Sequence, residues 1–300
     1  MDAPSFDVIV CGSLHLDIML FAPTLPRPDE TVVGSRWERR CGGKGGNQAV
    51  MAARAGARTA MIGRVGADEF GERLRENLLD AGVDAGAVSV DPAAGSGMSA
   101  AIVREDGEYG AVIVSGANLR IEPSAAARQW EDLGGAKALI LQNEIPESVN
   151  VAAALAARAT GALVVLNAAP ARGISPALLD LVDVLVVNRI EAEMLGAGAV
   201  GDVPSAIGAL AALKDLRRSV IVTLGGDGLA VRSGDAAPEA IAPRRVKVIS
   251  SHGAGDCFVG ALAAALARGA SLMEAAGFAN AAAAAHVSDP NRTETLVKAG

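Results

Sequence analysis

The chain has 300 residues, of which 51% are hydrophobic, 20% charged and 3% aromatic, and its formal net charge is −7. That composition excludes a disordered chain, and the scarce aromatics and negative charge argue against a nucleic-acid partner, leaving only local basic pockets for small phosphates. Cys11, Cys41 and Cys257 have neither disulfide nor metal-site spacing, no basic-then-apolar leader opens the chain, and no apolar run reaches the roughly 18 residues of a membrane span, so a cytoplasmic protein without a membrane partner is expected.

The apolar run Phe6–Cys11, closed by Gly12, reads as a buried first strand. Residues 13–40 mix Pro23, Pro26 and Pro28 with strand-like pieces around Leu16–Phe21 and Glu30–Trp37. Ser99–Arg104 and Gly110–Ser115 flank Glu105-Asp106-Gly107-Glu108 and read as a hairpin with Asp106-Gly107 as its turn. These regions, about 13–40 and 98–116, are expected to form one small β-sheet placed as a lid over a site.

Elsewhere helices and strands alternate. Helices are expected at Gly46–Ala55, Glu69–Ala81, Ser124–Leu133, Glu147–Ala159, from near Asn188, and at Pro204–Leu213, Ala254–Ala267 and Leu272–His286. Strands are expected at Thr59–Arg64, Lys137–Gln142, Ala162–Asn167, Val184–Val187, Ser219–Leu224 and Arg245–Ile249. This alternation predicts a single α/β domain over 1–300 with a doubly wound, mostly parallel sheet. Ligands of such sheets bind beyond the carboxyl ends of the strands.

Four stretches at those ends carry chemistry. Gly42-Gly43-Lys44-Gly45-Gly46-Asn47-Gln48 opens a helix. It is neither a P-loop nor the dinucleotide fingerprint, but four glycines let a ligand lie against backbone while Lys44 and Asn47 donate to its oxygens. Asn188-Arg189-Ile190-Glu191 has the spacing of a capping box, the reading the residues alone favour; the alternative has Glu191 holding waters of a Mg²⁺ ion. Thr223-Leu224-Gly225-Gly226-Asp227-Gly228 is a turn between strands, with Thr223 near a phosphate as its functional reading. Ser250-Ser251-His252-Gly253-Ala254-Gly255-Asp256 enters a helix whose first N–H groups, unpartnered and at the positive end of the dipole, suit an anion. Asp256 there is either a carboxylate favoured by the first turn or a base that takes a hydroxyl proton while adjacent N–H groups hold the transferred charge. Finally, His15 and Asp17 flank Leu16, so on a strand they share a face.

Taken together, Gly42–Asn47, Leu166–Arg172, Asn188–Glu191 and Gly253–Asp256 resemble the ribokinase branch of the PfkB-type carbohydrate kinases, from about Phe6 to about Ala285. The resemblance implies transfer of the ATP γ-phosphoryl group, with Mg²⁺, to a primary hydroxyl of a pentose or similar small sugar. It implies Asp256 as base and Gly253, Ala254 and Gly255 as anion hole. Asp17, Gly43, Lys44, Asn47 and Glu144 are implied at the sugar, with His15 beside it. Asn188, Thr223, Gly225, Gly226, Gly228, Gly255 and Asn280 are implied at the nucleotide, and Glu191 at Mg²⁺ through water. The lid is implied as a homodimer surface. A nucleoside kinase or ketohexose kinase of the same family, and a non-catalytic sensor on the scaffold, are the alternatives; retention of Asp256 with Lys44 and Glu191 speaks against a sensor. Two departures stand out. His15 replaces the usual Asn beside a sugar hydroxyl. Ser250 replaces the Asp that ligates K⁺ in K⁺-dependent ribokinases, which argues against a K⁺ site; Asp289 is the counter-argument.

Overall fold

Along Phe6–Cys11, side chains alternate between two apolar layers: Val8 and Val10 join one buried cluster, Ile9 and Cys11 the other. A strand covered on both faces needs apolar residues at every position, which is why this run is continuous rather than alternating. A computed structural model describes residues 4–104, 109–213, 218–289 and 296–297 of the chain.

Phe6–Cys11 belongs to a ten-stranded sheet. Its main path runs Glu239–Ile241, Leu229–Arg232, Ser219–Thr223, Val184–Asn188, Leu163–Asn167, Ala136–Gln142, Phe6–Cys11, Thr59–Gly66 and Val83–Asp84, and Val88–Asp91 pairs with Thr59–Gly66 off that path. Pairing is parallel from Ser219–Thr223 onward and antiparallel for the two strands at the other edge. The chain builds outward from Phe6–Cys11 first in one direction, then from Ala136–Gln142 in the other. The order therefore reverses between these two strands, and such a switch point opens a crevice at their carboxyl ends. Gly12–Ser13 and Asn143–Glu144 lie there.

Helices Lys44–Arg54, Glu69–Asp80, Ala254–Ala267 and Leu272–Ser288 cover one face with Ala49, Leu74, Leu78, Phe258, Leu262 and Ala279. Helices Pro123–Asp132, Glu147–Ala159, Pro176–Leu179 and Val203–Ala212 cover the other, centred on Trp130, Val149, Leu178 and Leu210. Every residue from Asp256 to Ala267 is buried, so this helix is apolar around its whole circumference after its first turn. It packs on the Lys44–Arg54 helix so closely that a Cβ on Gly260 would lie 2.7 Å from Ala52 N and Gln48 O. That contact holds the two glycine-rich helix entries side by side.

A separate five-stranded sheet has the order Leu296–Val297, Arg36–Gly42, His15–Phe21, Gly97–Val103 and Tyr109–Val114. His15–Phe21 is antiparallel to Arg36–Gly42 and parallel to Gly97–Val103. The register puts His15, Asp17 and Ser99 on one face and Leu20, Trp37, Val112 and Val114 on the other.

Some expected elements differ. The second strand piece is Arg36–Gly42 rather than Glu30–Trp37: its paired stretch runs into the glycine loop, and residues 30–35 are irregular, with Ser35 N bonded to Phe21 O at 2.8 Å. Arg245–Ile249 is not a strand. Glu239–Ile241 occupies the sheet edge instead, and Val246, Val248 and Ile249 are 41%, 58% and 55% exposed in an irregular segment. The helix after Asn188 is one short α turn, Arg189–Ala192, followed by a wider π turn, Glu193–Ala197. The Asp106-Gly107 turn lies outside the described residues.

Candidate active site

The site begins where the Lys44–Arg54 and Ala254–Ala267 helices open beside one another. Gly253 is the N-cap of the latter, in the left-handed region at φ 70°, and no side chain caps the helix. Ala254 N turns back to Ser251 O at 3.3 Å, and with no side-chain cap the rest of the helix entry suits a ligand. Gly255 is exposed, and a Cβ there would meet nothing within 4 Å, so the space above the turn is open.

Asp256, in that first turn, is 7% exposed. Its Oδ2 accepts from Asn47 Nδ2 at 3.1 Å and its Oδ1 from Gln48 Nε2 at 2.9 Å. Gln48 is fixed in turn, because its Oε1 accepts from Gln142 Nε2 at 2.8 Å. Burial pushes the Asp256 carboxyl above the ordinary carboxylate range; the Lys44 charge and the two amide donors pull it back, and the Glu144 charge adds to the rise. The result is a more basic carboxylate in a fixed orientation.

Glu144 ties the glycine loop to the switch point. Its Oε2 accepts from Lys44 N at 2.8 Å and from Ser13 Oγ at 2.5 Å, and lies 3.9 Å from His15 Nδ1. The loop lies on backbone: Gly46 N donates to Ser13 O at 2.9 Å, and Gly43, at φ 83°, has no room for a Cβ against His15 N, 2.8 Å away. Asp17 Oδ1 accepts from Ser99 Oγ, and its Oδ2 would lie 2.2 Å from a Cβ on Gly42. Burial raises the Asp17 carboxyl, opposed by the Ser99 hydrogen bond and by His15 and His252. His15 is 5% exposed, and its Nε2 is buried without a hydrogen-bond partner among the described residues. A buried polar atom without a partner is costly, and a ligand oxygen supplies one.

A cleft of about 820 Å³ continues from Ala254 and Gly255 past Thr223, Gly225, Gly226 and Gly228 to Asn280. The Thr223 hydroxyl turns back to Val187 O at 3.3 Å, and Asn280 Nδ2 donates to Ala242 O at 2.9 Å, fastening the irregular segment that forms one wall. Arg189 holds the opposite turn through an ion pair with Asp227 and a 2.9 Å bond to Leu224 O.

Asn188 and Glu191 form a complete capping box: Glu191 N donates to Asn188 Oδ1 at 3.0 Å and Asn188 N to Glu191 Oε2 at 2.8 Å. Glu191 is nonetheless 5% exposed; burial raises its carboxyl and the Lys44 charge lowers it, so it faces the same polar centre as Asp256. Each of its oxygens carries one hydrogen bond and keeps a lone pair for water. No group of three or more His, Cys, Asp or Glu among the described residues is arranged to hold a metal by itself. The donor set thus fits an ion held through water and phosphate oxygens, the habit of Mg²⁺.

The expected residues thus fall into four groups: Lys44, Asn47, Glu144 and Asp256; His15 and Asp17; Asn188 and Glu191; and the cleft lining. Gln48, Ser13, Ser99 and Arg189, which orient them, were not assigned roles from sequence. Gln48 alone left a signal, as a second polar residue beside Asn47 at the head of a helix that goes on as Ala-Val-Met-Ala-Ala.

The family model of the pfkB family carbohydrate kinases matches residues 5–299. The chain is 35% identical over 296 residues to the ribokinase of Haemophilus influenzae, covering 96% of each. It is 31% identical over 260 residues to the deoxyribokinase of Salmonella typhi, covering 86% of this chain and 84% of that one. The structure of Arabidopsis thaliana ribokinase complexed with ribose and ATP superposes with a TM-score of 0.88 at 29% identity, over 98% of this chain and 96% of that one. With the family match spanning nearly its whole length, and the glycine loop, buried Asp256 and open helix entry meeting at one crevice, the chain belongs to the pfkB family of carbohydrate kinases.

Proposed function

We propose that the chain is an ATP-dependent pentose kinase that uses Asp256 as general base. The observation that carries this reading is the Asp256 carboxylate, buried and doubly hydrogen-bonded at an uncapped helix entry, with Lys44 acting on it. Asp256 takes the proton of the primary hydroxyl. The hydroxyl oxygen then bonds to the γ-phosphorus as the bridge to the β-phosphate breaks, and ADP leaves. The N–H groups of Gly253, Ala254 and Gly255 stabilise the charge on the transferring group, a task in which positioning and electrostatics outweigh covalent chemistry. Asp17, Lys44, Asn47 and Glu144 orient the sugar, with Gly43 giving it access to backbone. The nucleotide lies along the cleft from Thr223 and Gly225 to Asn280. Mg²⁺, when bound, neutralises phosphate charge; Glu191 would hold it through water, with Asn188 orienting that carboxylate. Kinases of both ribose and deoxyribose among the relatives support a pentose as the acceptor.

The small sheet serves as lid on its His15/Asp17 face. Its opposite face exposes Trp37 at 48%, Val112 at 67% and Val114 at 52%, an apolar surface that supports homodimerisation there. A cytoplasmic location belongs to the same proposal and is supported by three free cysteines and the need for ATP. Among the described residues, no helix is long and apolar enough to cross a membrane.

The test is ADP release across pentoses, deoxypentoses, ketohexoses and nucleosides. A pentose is expected to give the highest kcat/KM; a nucleoside or hexose preferred over every pentose would overturn the assignment.

Two further results are expected. His15→Asn should change the kcat/KM ratio between sugars by about tenfold or more while the ATP KM stays constant, because a site built to pair with a hydroxyl rejects analogues lacking it. An unchanged ranking would remove His15 from the sugar site. Turnover should change less than about threefold when K⁺ is replaced by tetramethylammonium at fixed ionic strength, since Ser250 offers a hydroxyl where a hard cation prefers a carboxylate. A drop of about tenfold would mean that a cation site exists.

A further inference from the structure

The segment that delivers the chain to the anion hole has no strand to hold it: residues 242–253 are irregular, and Ser251 and His252 are exposed. Three hydrogen bonds fasten its end to the last turn of the Leu272–Ser288 helix. Ile249 N and Ser250 N donate to Val287 O at 2.8 and 3.3 Å, and His286 Nε2 lies 3.3 Å from His252 O. Val287 O is among the last carbonyls of its helix, which have no partner within it. The third bond differs in kind, because it runs from a side chain to the loop. A carbonyl only accepts, so His286 Nε2 carries the proton in this contact.

The bonded carbonyl belongs to the peptide that joins His252 to Gly253. A trans peptide is planar, with its C=O and N–H pointing opposite ways, so a donor fixed on His252 O also fixes the direction of the Gly253 N–H. The constraint matters here because Gly253, at φ 70°, lacks the Cβ that would otherwise restrict rotation of that peptide. The helix has no capping side chain to do the same work.

We propose that His286 is a positioning residue of the anion hole, whose imidazole N–H holds the 252–253 peptide so that the Gly253 N–H points at the transferring phosphoryl group. The proposal rests on the kinase reading above. It concerns a residue outside every motif that led to that reading, and it assigns the Leu272–Ser288 helix a part in catalysis. The hydrogen bond also polarises the peptide and strengthens its N–H as a donor.

The test compares His286→Leu, which removes the donor, with His286→Gln, whose amide restores one. His286→Leu is expected to lower kcat by about tenfold or more, a fraction of the ~10²–10³ that loss of a whole oxyanion donor costs, with the sugar KM unchanged. His286→Gln should recover most of that loss. Binding of ADP with aluminium fluoride and sugar, which mimics the transferring phosphoryl group, should weaken in His286→Leu in parallel with kcat, while ADP alone binds as in the wild type. A kcat within about twofold of wild type in His286→Leu, or an equal fall in both variants, would overturn the proposal. If His286→Leu does not fold, His286→Ala is assayed with added imidazole; recovery of turnover supports the role and no recovery overturns it. Asp256→Asn measured alongside separates the two levels: if Asp256→Asn retains turnover, the kinase mechanism itself fails, whereas an inactive Asp256→Asn beside an unaffected His286→Leu refutes only the tether.

Discussion

Asp256→Asn is expected to lower kcat by about 10²–10⁴-fold, with the ATP KM within about twofold of wild type. The amide keeps the size of the carboxylate and leaves the N–H groups of Gly253–Gly255 in place, so the phosphates are still received. It cannot accept the hydroxyl proton. Because burial raises the Asp256 carboxyl, the wild-type acid limb should lie above the ordinary carboxylate range, activity falling as the pH drops through that raised pKa and the base becomes protonated. The residual activity of the variant should lack that limb. Initial rates against pH for both proteins check the expectation, and a variant retaining more than about a third of the wild-type rate would remove Asp256 as the base.

Gly45→Ala is expected to cut kcat/KM for the sugar by about 10²-fold and to destabilise the fold by about 1–3 kcal/mol. A Cβ at this position would lie 2.6 Å from Ser13 N and 2.7 Å from both Gly12 C and Ser13 O, all backbone atoms. Nothing there yields by rotating, so the glycine loop itself must move. With it would move Lys44 N, held by Glu144, and Asn47, held by Asp256. Gly208→Ala is the control: Gly208 sits in the Val203–Ala212 helix with nothing within 4 Å of a Cβ, and alanine there should leave kcat unchanged and stabilise by up to about 1 kcal/mol. Steady-state kinetics and thermal melting of both variants check the pair, and a fully active Gly45→Ala would show that the loop tolerates displacement.

What could be read from the sequence is what short stretches encode. The glycine loop, the Gly253–Asp256 turn and the Asn188–Glu191 motif each place their residues through local backbone geometry, and the alternation of buried strands and helices gave the parallel sheet. The supporting contacts were out of reach for a plain reason. Gln48 and Asp256 are 208 residues apart in sequence, Ser13 and Glu144 131, and Asp17 and Ser99 82. No spacing rule joins such pairs before the switch point brings them together.

Arg245–Ile249 teaches a different lesson. Its Arg-Val-Lys-Val-Ile alternation is that of a half-buried strand, but the place beside Leu229–Arg232 is taken by Glu239–Ile241, and Arg245–Ile249 stays irregular. The exposed Val246 and Val248 instead form a wall of the cleft proposed for the nucleotide. For Asn188–Glu191 the sequence left two uses of one carboxylate open. The capping box is formed, and the buried Glu191 also lies in the field of Lys44. Capping orients the carboxylate without consuming it.

The most direct measurement is ³¹P NMR of the products formed from ATP and a pentose carrying one primary hydroxyl, in the wild type and in Asp256→Asn. The expected wild-type result is ADP and a phosphate monoester on that primary oxygen in equal amounts, with the ester signal nearly lost in the variant. Inorganic phosphate in place of an ester with every sugar, or an ester on the anomeric oxygen, would contradict the proposed mechanism.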